Sequence, residues 1–600
     1  MMKILSAKRL SMVVCVGVLC YAWGVLVIGN ADLLYAAQDF SPWLGTNDYF
    51  RDSISHPGGM REWVGEWLTQ LFYYPWLGAS VLVAMWGGIT FLLIKACRLQ
   101  GGMALLALLP SIGLLASITQ LGYWIFCLKT SSYWFGSTTG VFLLVLYSYF
   151  YTLARWRCRC VMFTLWVLVG FPMLGWIATL GGVVLLLLTP MPKNVRQWLS
   201  FVLPIITAII IVMLYYRGST DTHQREFLPL YGFPYVANNE ARDGIFSIAP
   251  WGVSVSLILL PLMRHFHGGI IARRISFFVS LIVVCVALCG ASMLNYRNRN
   301  FHAELSMLRA MDEGRWDDLL QCLHTTDGRP TREMVMMKDV ALTQKGLLAQ
   351  EAFSYDYRGI NPAMNAKLPI HMVHSASPLI YYWLGLPNYA YMWCMENSIE
   401  YGLSPYWLRL FYRCALVSGE KELARKYKTL LQTTLFHANW DVSHAEQHAV
   451  KRFVTGHNEL SNDGGYSEVF LMDKLSREQY SSREGQELAL HYAMLMRRKK
   501  LFQKSLRHYH SLIGDGQVLP TYYQQALLLF GDDTGGQKTG EQTPTNVSDE
   551  VRAQYEQYRY DVMSLMEQEP STAVVGEMLY GKYGHTYWWY YDFYTNNKSY

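Results

Sequence analysis

Charge is scarce in this chain of 600 residues. Asp, Glu, Lys and Arg make up 16% of it, and most of the long stretches without any of them lie before residue 297. The formal net charge of +6 comes largely from Lys and Arg beside apolar runs, which excludes a nucleic-acid footprint. Cysteine is also sparse. Eleven cysteines at irregular spacing exclude a disulfide scaffold, and eight of them (Cys15, Cys20, Cys97, Cys127, Cys158, Cys160, Cys285, Cys289) fall in or beside the apolar half, where a thiol packs as a small apolar group. Cys158-x-Cys160 has no second pair, and neither His265-x-His267 nor His508-x-His510 has a third ligand, so none reads as a metal site. There is no Walker loop, dinucleotide fingerprint, serine elbow or zincin motif, which argues against a nucleotide-using enzyme. Few ionisable residues lie inside the apolar runs, where a transporter would need an ion path.

What is present is a series of runs long enough to cross a bilayer, which takes about 20 apolar residues. They cover 10–31, 67–94, 99–128, 130–154, 197–216, 244–263 and 275–296. The first reads as a retained anchor, because it is long for a signal peptide and further spans follow. As one helix, 160–192 would be roughly 50 Å long, well beyond the hydrocarbon core. Gly170-Phe171-Pro172 and Gly175 sit in its middle, so it reads as two short spans, nine in all. With the N-terminus in the cytoplasm, thirteen Lys and Arg then flank the inside ends and six fall in the outside loops. A single span over 160–192 moves five of the thirteen to the wrong face. The expected architecture is all-α: a polytopic domain over 1–296 in a bacterial inner membrane, then a helical domain over 297–600 in the periplasm.

The second half reads as helical pairs. Glu304 to Met311, Gly314 and Arg315-Trp316-Asp317-Asp318-Leu319-Leu320 predict helix, tight turn, helix. The clearest unit is Tyr412 to Tyr427, with Gly419 at the turn and Ala424 allowing close approach, as in tetratricopeptide-like hairpins of irregular spacing. Leu386 to Glu396 predicts the helix before it. Residues 531–550, polar and rich in Gly and Thr, read as a mobile loop. Gly581 to Tyr594 is too aromatic to hang free and is expected to dock on its domain.

Two outer loops hold residues able to do chemistry. The first, 32–66, carries Asp39, Asp48, Asp52, Glu62 and Glu66. Its acids suit a general base or a divalent cation, or else are loop charges and helix caps. Asp48 is the first choice for a catalytic acid, with Asp39 and Asp52 next. Met60 to Tyr73 carries apolar residues at helical spacing, which predicts an interfacial amphipathic helix. The second loop, 217–243, carries Arg217, His223, Arg225 and Arg242, which suit a phosphate headgroup or salt bridges to the soluble domain.

Asp48-Tyr-Phe, Pro57-Gly-Gly, Gln70 and Tyr73-Tyr-Pro-Trp-Leu-Gly78-Ala79 resemble the first loop of a bacterial membrane-protein family known only as a domain of unknown function. Trp316-Asp317, Asn388-x-Ala390, Leu519-Pro520-x-Tyr-Tyr-Gln524 and Tyr583-Gly-x-Thr-Tyr-Trp resemble its soluble part. Ala37 stands where members of that family carry a glutamate before the loop's Gln, which speaks against a catalytic role for that acid. More distantly, the plan is similar to GT-C glycosyltransferases, which take sugars from polyprenyl-phosphate carriers. That likeness implies transfer of a sugar or glycan to an extracytoplasmic acceptor, and is an analogy of topology. The other expectation is a non-catalytic scaffold whose repeats bind a partner in an envelope assembly.

Overall fold

The computed structural model describes residues 2–55, 58–127, 133–190, 194–217, 245–263, 270–326, 328–359, 370–455, 468–514, 517–532, 547–569 and 571–594. Among the described residues the regular elements are helices, with no strand. By contacts the chain divides into two units. The first is Met1–Asn298 with Asn397–Arg409 and Lys426–Trp440; the second is Arg299–Glu396, Leu410–Arg425 and Asp441–Tyr600. Two short segments beyond the last apolar run therefore pack with the first unit.

The first unit opens with α1 (Met2–Gly29) and three short helices, α2 (Ala31–Asp39), α3 (Asn47–Ile54) and α4 (Gly59–Thr69). There follow α5 (Pro75–Ala96), α6 (Leu109–Thr119), α7 (Tyr133–Leu153), α8 (Trp156–Leu174), α9 (Trp176–Leu188), α10 (Val195–Arg217), α11 (Ile245–Leu262) and α12 (Ile270–Leu294). Among the described residues, five helical stretches are long and apolar enough to cross a membrane: Arg9–Gly29, Pro75–Ala96, Gly101–Thr119, Trp156–Leu174 and Phe277–Leu294. Met12, Val16, Phe91, Val161 and Phe278 lie exposed on them, an exterior that suits hydrocarbon rather than water. Inside, Val18, Leu105, Leu108, Ile112 and Val284 form a buried cluster.

The bounds depart from the apolar runs where Pro and Gly intervene. α5 starts at Pro75, in the first turn, where its missing N–H costs nothing. The 99–128 run breaks after Thr119, and Gly122 takes φ 52° before a 3-10 turn. The 160–192 run breaks at Gly175, which has φ 62°. Beyond it α9 folds back on α8, with the Trp166 Nε1–H donating to the Ala178 carbonyl at 2.9 Å. Thr189 returns to Tyr151, whose hydroxyl lies 2.6 Å from Thr189 Oγ1 and whose ring sits 5.8 Å from the Arg159 guanidinium. The start of α8 and the end of α9 therefore lie at one level.

The helix expected over 60–73 is α4 followed by a 3-10 turn at Gln70–Tyr73. It packs along α7, where a Cβ on Gly65 would stand 2.6 Å from the Gly136 backbone. Gly65→Ala is expected to cost about 1–3 kcal/mol by forcing the helices apart. Gly182→Ala, where the added Cβ meets nothing, is expected to leave stability unchanged or slightly raised. Thermal unfolding of the detergent-solubilised chain reads both; equal behaviour of the two variants would refute the close approach.

Beyond α12 come α13 (Arg299–Asp312), α14 (Trp316–Cys322), α15 (Arg332–Lys345), α16 (Leu348–Glu351), α17 (Ile370–Trp383), α18 (Pro387–Tyr401), α19 (Pro405–Ser418) and α20 (Lys421–Leu431). They are followed by α21 (His444–Lys451), α22 (Glu468–Arg477), α23 (Arg483–Leu495), α24 (Lys499–Ile513), α25 (Thr521–Asp532), α26 (Asp549–Gln568), α27 (Thr572–Tyr583) and α28 (Tyr587–Phe593). Gly314 and Gly419, at φ 68° and 81°, make the two tight turns the sequence predicts. The aromatic tail docks: α28 buries Tyr587 and Trp588, whose Oη and Nε1 donate to the carbonyls of Met494 and Gln525. Residues 533–546 of the expected mobile loop lie outside the described residues.

Candidate functional site

The three acids expected to act in the first loop end in different settings. Asp39 closes α2, whose residues from Leu33 onward are all buried. Its two carboxylate oxygens accept from the two terminal nitrogens of Arg409 at 2.8 Å each, a bidentate pair with Arg409 only 1% and Asp39 6% exposed. Gln38 Nε2 donates to Asp39 Oδ1 at 3.0 Å. His437 is buried beside them, with Nε2 3.3 Å from Gln38 Oε1 and Nδ1 3.4 Å from Arg409 Nη1. Arg409 lies 5.8 Å from the Trp440 ring, and Tyr73 stacks on Phe436 at 5.1 Å while meeting His437 edge-on. Backbone contacts fasten the same region: Leu435 N–H donates to Gln70 Oε1 at 2.9 Å, and Gly45 N–H to Thr433 Oγ1 at 3.2 Å. Segments 397–409 and 426–440 thus hold the first loop within the first unit.

Residues 4–594 match the family described as "Family of unknown function (DUF6057)". The chain belongs to that family. No curated protein and no solved structure matches it. The match spans nearly the whole chain, in keeping with the resemblance to an uncharacterised domain-of-unknown-function family read from the sequence motifs.

In this DUF6057 chain Asp48 and Asp52 are exposed on α3 and do not join Asp39 in its buried pair. Thr46 caps α3, its side chain accepting from Tyr49 N–H at 3.3 Å. Asp48 sits in the first turn, where the helix dipole favours a carboxylate. Arg217 closes α10, and nothing of its side chain is described; His223, Arg225 and Arg242 lie outside the described residues, as do His265 and His267. Among the described residues no group of three or more His, Cys, Asp or Glu is arranged to hold a metal. His508 directs its Nε2 to the Tyr480 carbonyl at 2.9 Å.

Two buried polar groups escaped the sequence reading. In the first loop the Tyr49 hydroxyl donates to the buried Glu66 carboxylate, and burial followed by that carboxylate pushes the phenol far above its ordinary value. In the second unit Tyr357 donates to Asp339 Oδ1 at 2.8 Å and lies 2.9 Å from His491 Nε2. Lys338 Nζ stands 3.2 Å from Asp339 and 3.2 Å from the centre of the Tyr357 ring. Burial raises the Asp339 carboxyl, but Lys338 and His491 more than offset it, leaving it below the usual carboxylate value. Only the adjacency of Lys338 and Asp339 is visible in sequence; Tyr357 and His491 join them through the fold.

Proposed function

We propose that the protein is a GT-C-like membrane glycosyltransferase, moving a sugar or glycan from a polyprenyl-phosphate-linked donor to an extracytoplasmic acceptor. In this reading α1 and α5 to α12 make nine membrane traverses, and the tetratricopeptide-like helical hairpins stand in the periplasm. The observation that carries it is the built first loop. After α1 the chain forms three helices and orients one acid, Asp39, with Gln38, Arg409 and His437 around it. A catalytic carboxylate has to be held in a fixed orientation, and Asp39 meets that condition where the exposed Asp48 and Asp52 do not. Arg217, His223, Arg225 and Arg242 keep the donor-phosphate role in this reading.

A second reading, the non-catalytic envelope scaffold, is favoured by the same pair. Both oxygens of Asp39 are taken by Arg409, as in a structural clamp. Asp39→Asn separates the two readings when protein level and envelope glycan profile are measured side by side in cells carrying the full chain. If the level falls because Arg409 has lost its counter-charge, Asp39→Asn with Arg409→Gln restores the neutral balance. The transferase reading expects normal level with the glycan product gone in the double variant, and an unchanged product in Asp48→Asn. Product that simply tracks protein level in every variant would leave the scaffold standing and remove the transferase.

A further inference from the structure

The second unit carries a cleft of about 440 Å³ between the end of α21, the α22–α23 connection and α24. That size falls in the range of small-molecule sites, about 300–1,000 Å³. Its walls are mainly polar: Arg452, Arg477, Lys504 and Glu478 with Thr455, Gln479 and Ser481, and Val454 and Tyr480 complete the lining. The cations are not equally committed. Arg477 is fastened to Asp473 by two bonds of 2.8 and 3.0 Å. Arg452 donates from Nε to the Ala449 carbonyl at 3.5 Å and lies 3.6 Å from Glu484, both long contacts. Lys504 is exposed and makes no ion pair with a described residue. It stands on α24, a helix with four Lys and Arg and no acid.

The geometry points to a binding site for a phosphorylated saccharide in this cleft. Lys504 and Arg452 suit the phosphate, a dianion near neutral pH, because they are the lining cations least committed to acids, whereas Arg477 is held by Asp473. Thr455, Gln479, Ser481 and Glu478 offer the hydroxyl, amide and carboxylate groups that exchange hydrogen bonds with sugar hydroxyls. An apolar ligand has almost nothing to bury there. The same headgroup exists free or on a lipid carrier, and the chemistry of the cleft is common to both. The inference stands independently of the transferase reading, since binding here requires no catalytic acid.

Calorimetry on the full chain in detergent tests it, with a hexose 1-phosphate, the neutral hexose, inorganic phosphate, and the same hexose phosphate on a short prenyl chain. The hexose phosphate is expected to bind at least tenfold tighter than either the hexose or phosphate alone. Lys504→Ala is expected to weaken it by about ten- to hundredfold, the effect of one charge-assisted contact. Lys504 is exposed, so its loss leaves the fold intact. Lys500→Ala removes the same charge from α24 outside the cleft lining and is expected to change affinity by less than threefold. Preference for the prenyl-linked form assigns the ligand to a lipid carrier; equal affinity assigns it to a free sugar phosphate. No binding at millimolar ligand, phosphate binding as tightly as the sugar phosphate, or equal losses in the two lysine variants would each overturn the site.

Discussion

Arg409→Met is expected to destabilise the protein by about 3–5 kcal/mol, the cost of leaving a buried charge without its partner. Arg409 is 1% exposed and supplies both of its terminal nitrogens to Asp39, so methionine leaves that carboxylate in a site with little access to water. Gln38 and His437 remain nearby but cannot replace a guanidinium that donates to both oxygens at once. The double variant Asp39→Leu with Arg409→Met is expected to recover most of the loss, because replacing a buried pair by apolar side chains is often close to neutral. Thermal unfolding of the wild type, both single variants and the double variant in one detergent measures the coupling. A loss under about 1 kcal/mol for Arg409→Met would show that the pair is hydrated, and would remove the clamp from both functional readings.

Acid is expected to weaken the second unit through Asp339, and Asp339→Asn to abolish that sensitivity. The carboxyl of Asp339 lies below its ordinary value in the folded protein, so the unfolded chain takes up its proton first as pH falls. Its contribution is therefore complete above the unfolded value of about 3.9 and is lost as pH drops through the lower folded value. In Asp339→Asn that limb should vanish. The variant should also be about 3–5 kcal/mol less stable near neutral pH, because Lys338 is 1% exposed and stands 3.2 Å from the carboxylate it would lose. The Tm of the full chain followed from about pH 6 to pH 3 gives both quantities. Parallel acid limbs in wild type and variant would show that other carboxylates set the acid response.

The site was only half legible. The first loop and its acids follow from residues within a few dozen positions, and the likeness to an uncharacterised family from short motifs along the chain. Which acid is held in place does not. Asp48 is the first choice from sequence; in the structure Thr46, not Asp48, caps α3, and Asp48 is exposed in its first turn. Asp39 owes its setting to Arg409 and His437, which lie 370 residues and more along the chain. No local pattern marks such a pair, because each residue alone reads as an ordinary charge. The Tyr49–Glu66 and Asp339–Tyr357 bonds span only 17 and 18 residues, yet no pattern in those intervals marks one side chain as the other's partner, and His491 lies 134 residues beyond Tyr357.

Elements whose cause is local were readable from sequence alone: the apolar runs, the reversal at Gly175, the turns at Gly314 and Gly419, and the docking of an aromatic tail. Hydrophobic length, helical periodicity and the freedom of glycine at positive φ act over a few residues and leave their mark there. Tertiary structure alone decided which charges are buried and with whom. It also decided that 397–409 and 426–440 pack with the first unit, and that Arg452, Arg477 and Lys504 come to line one cleft. These outcomes depend on desolvation and on partners distant in sequence. A buried ion pair and a solvated charge are written with the same letters, and only the packing around them tells the two apart.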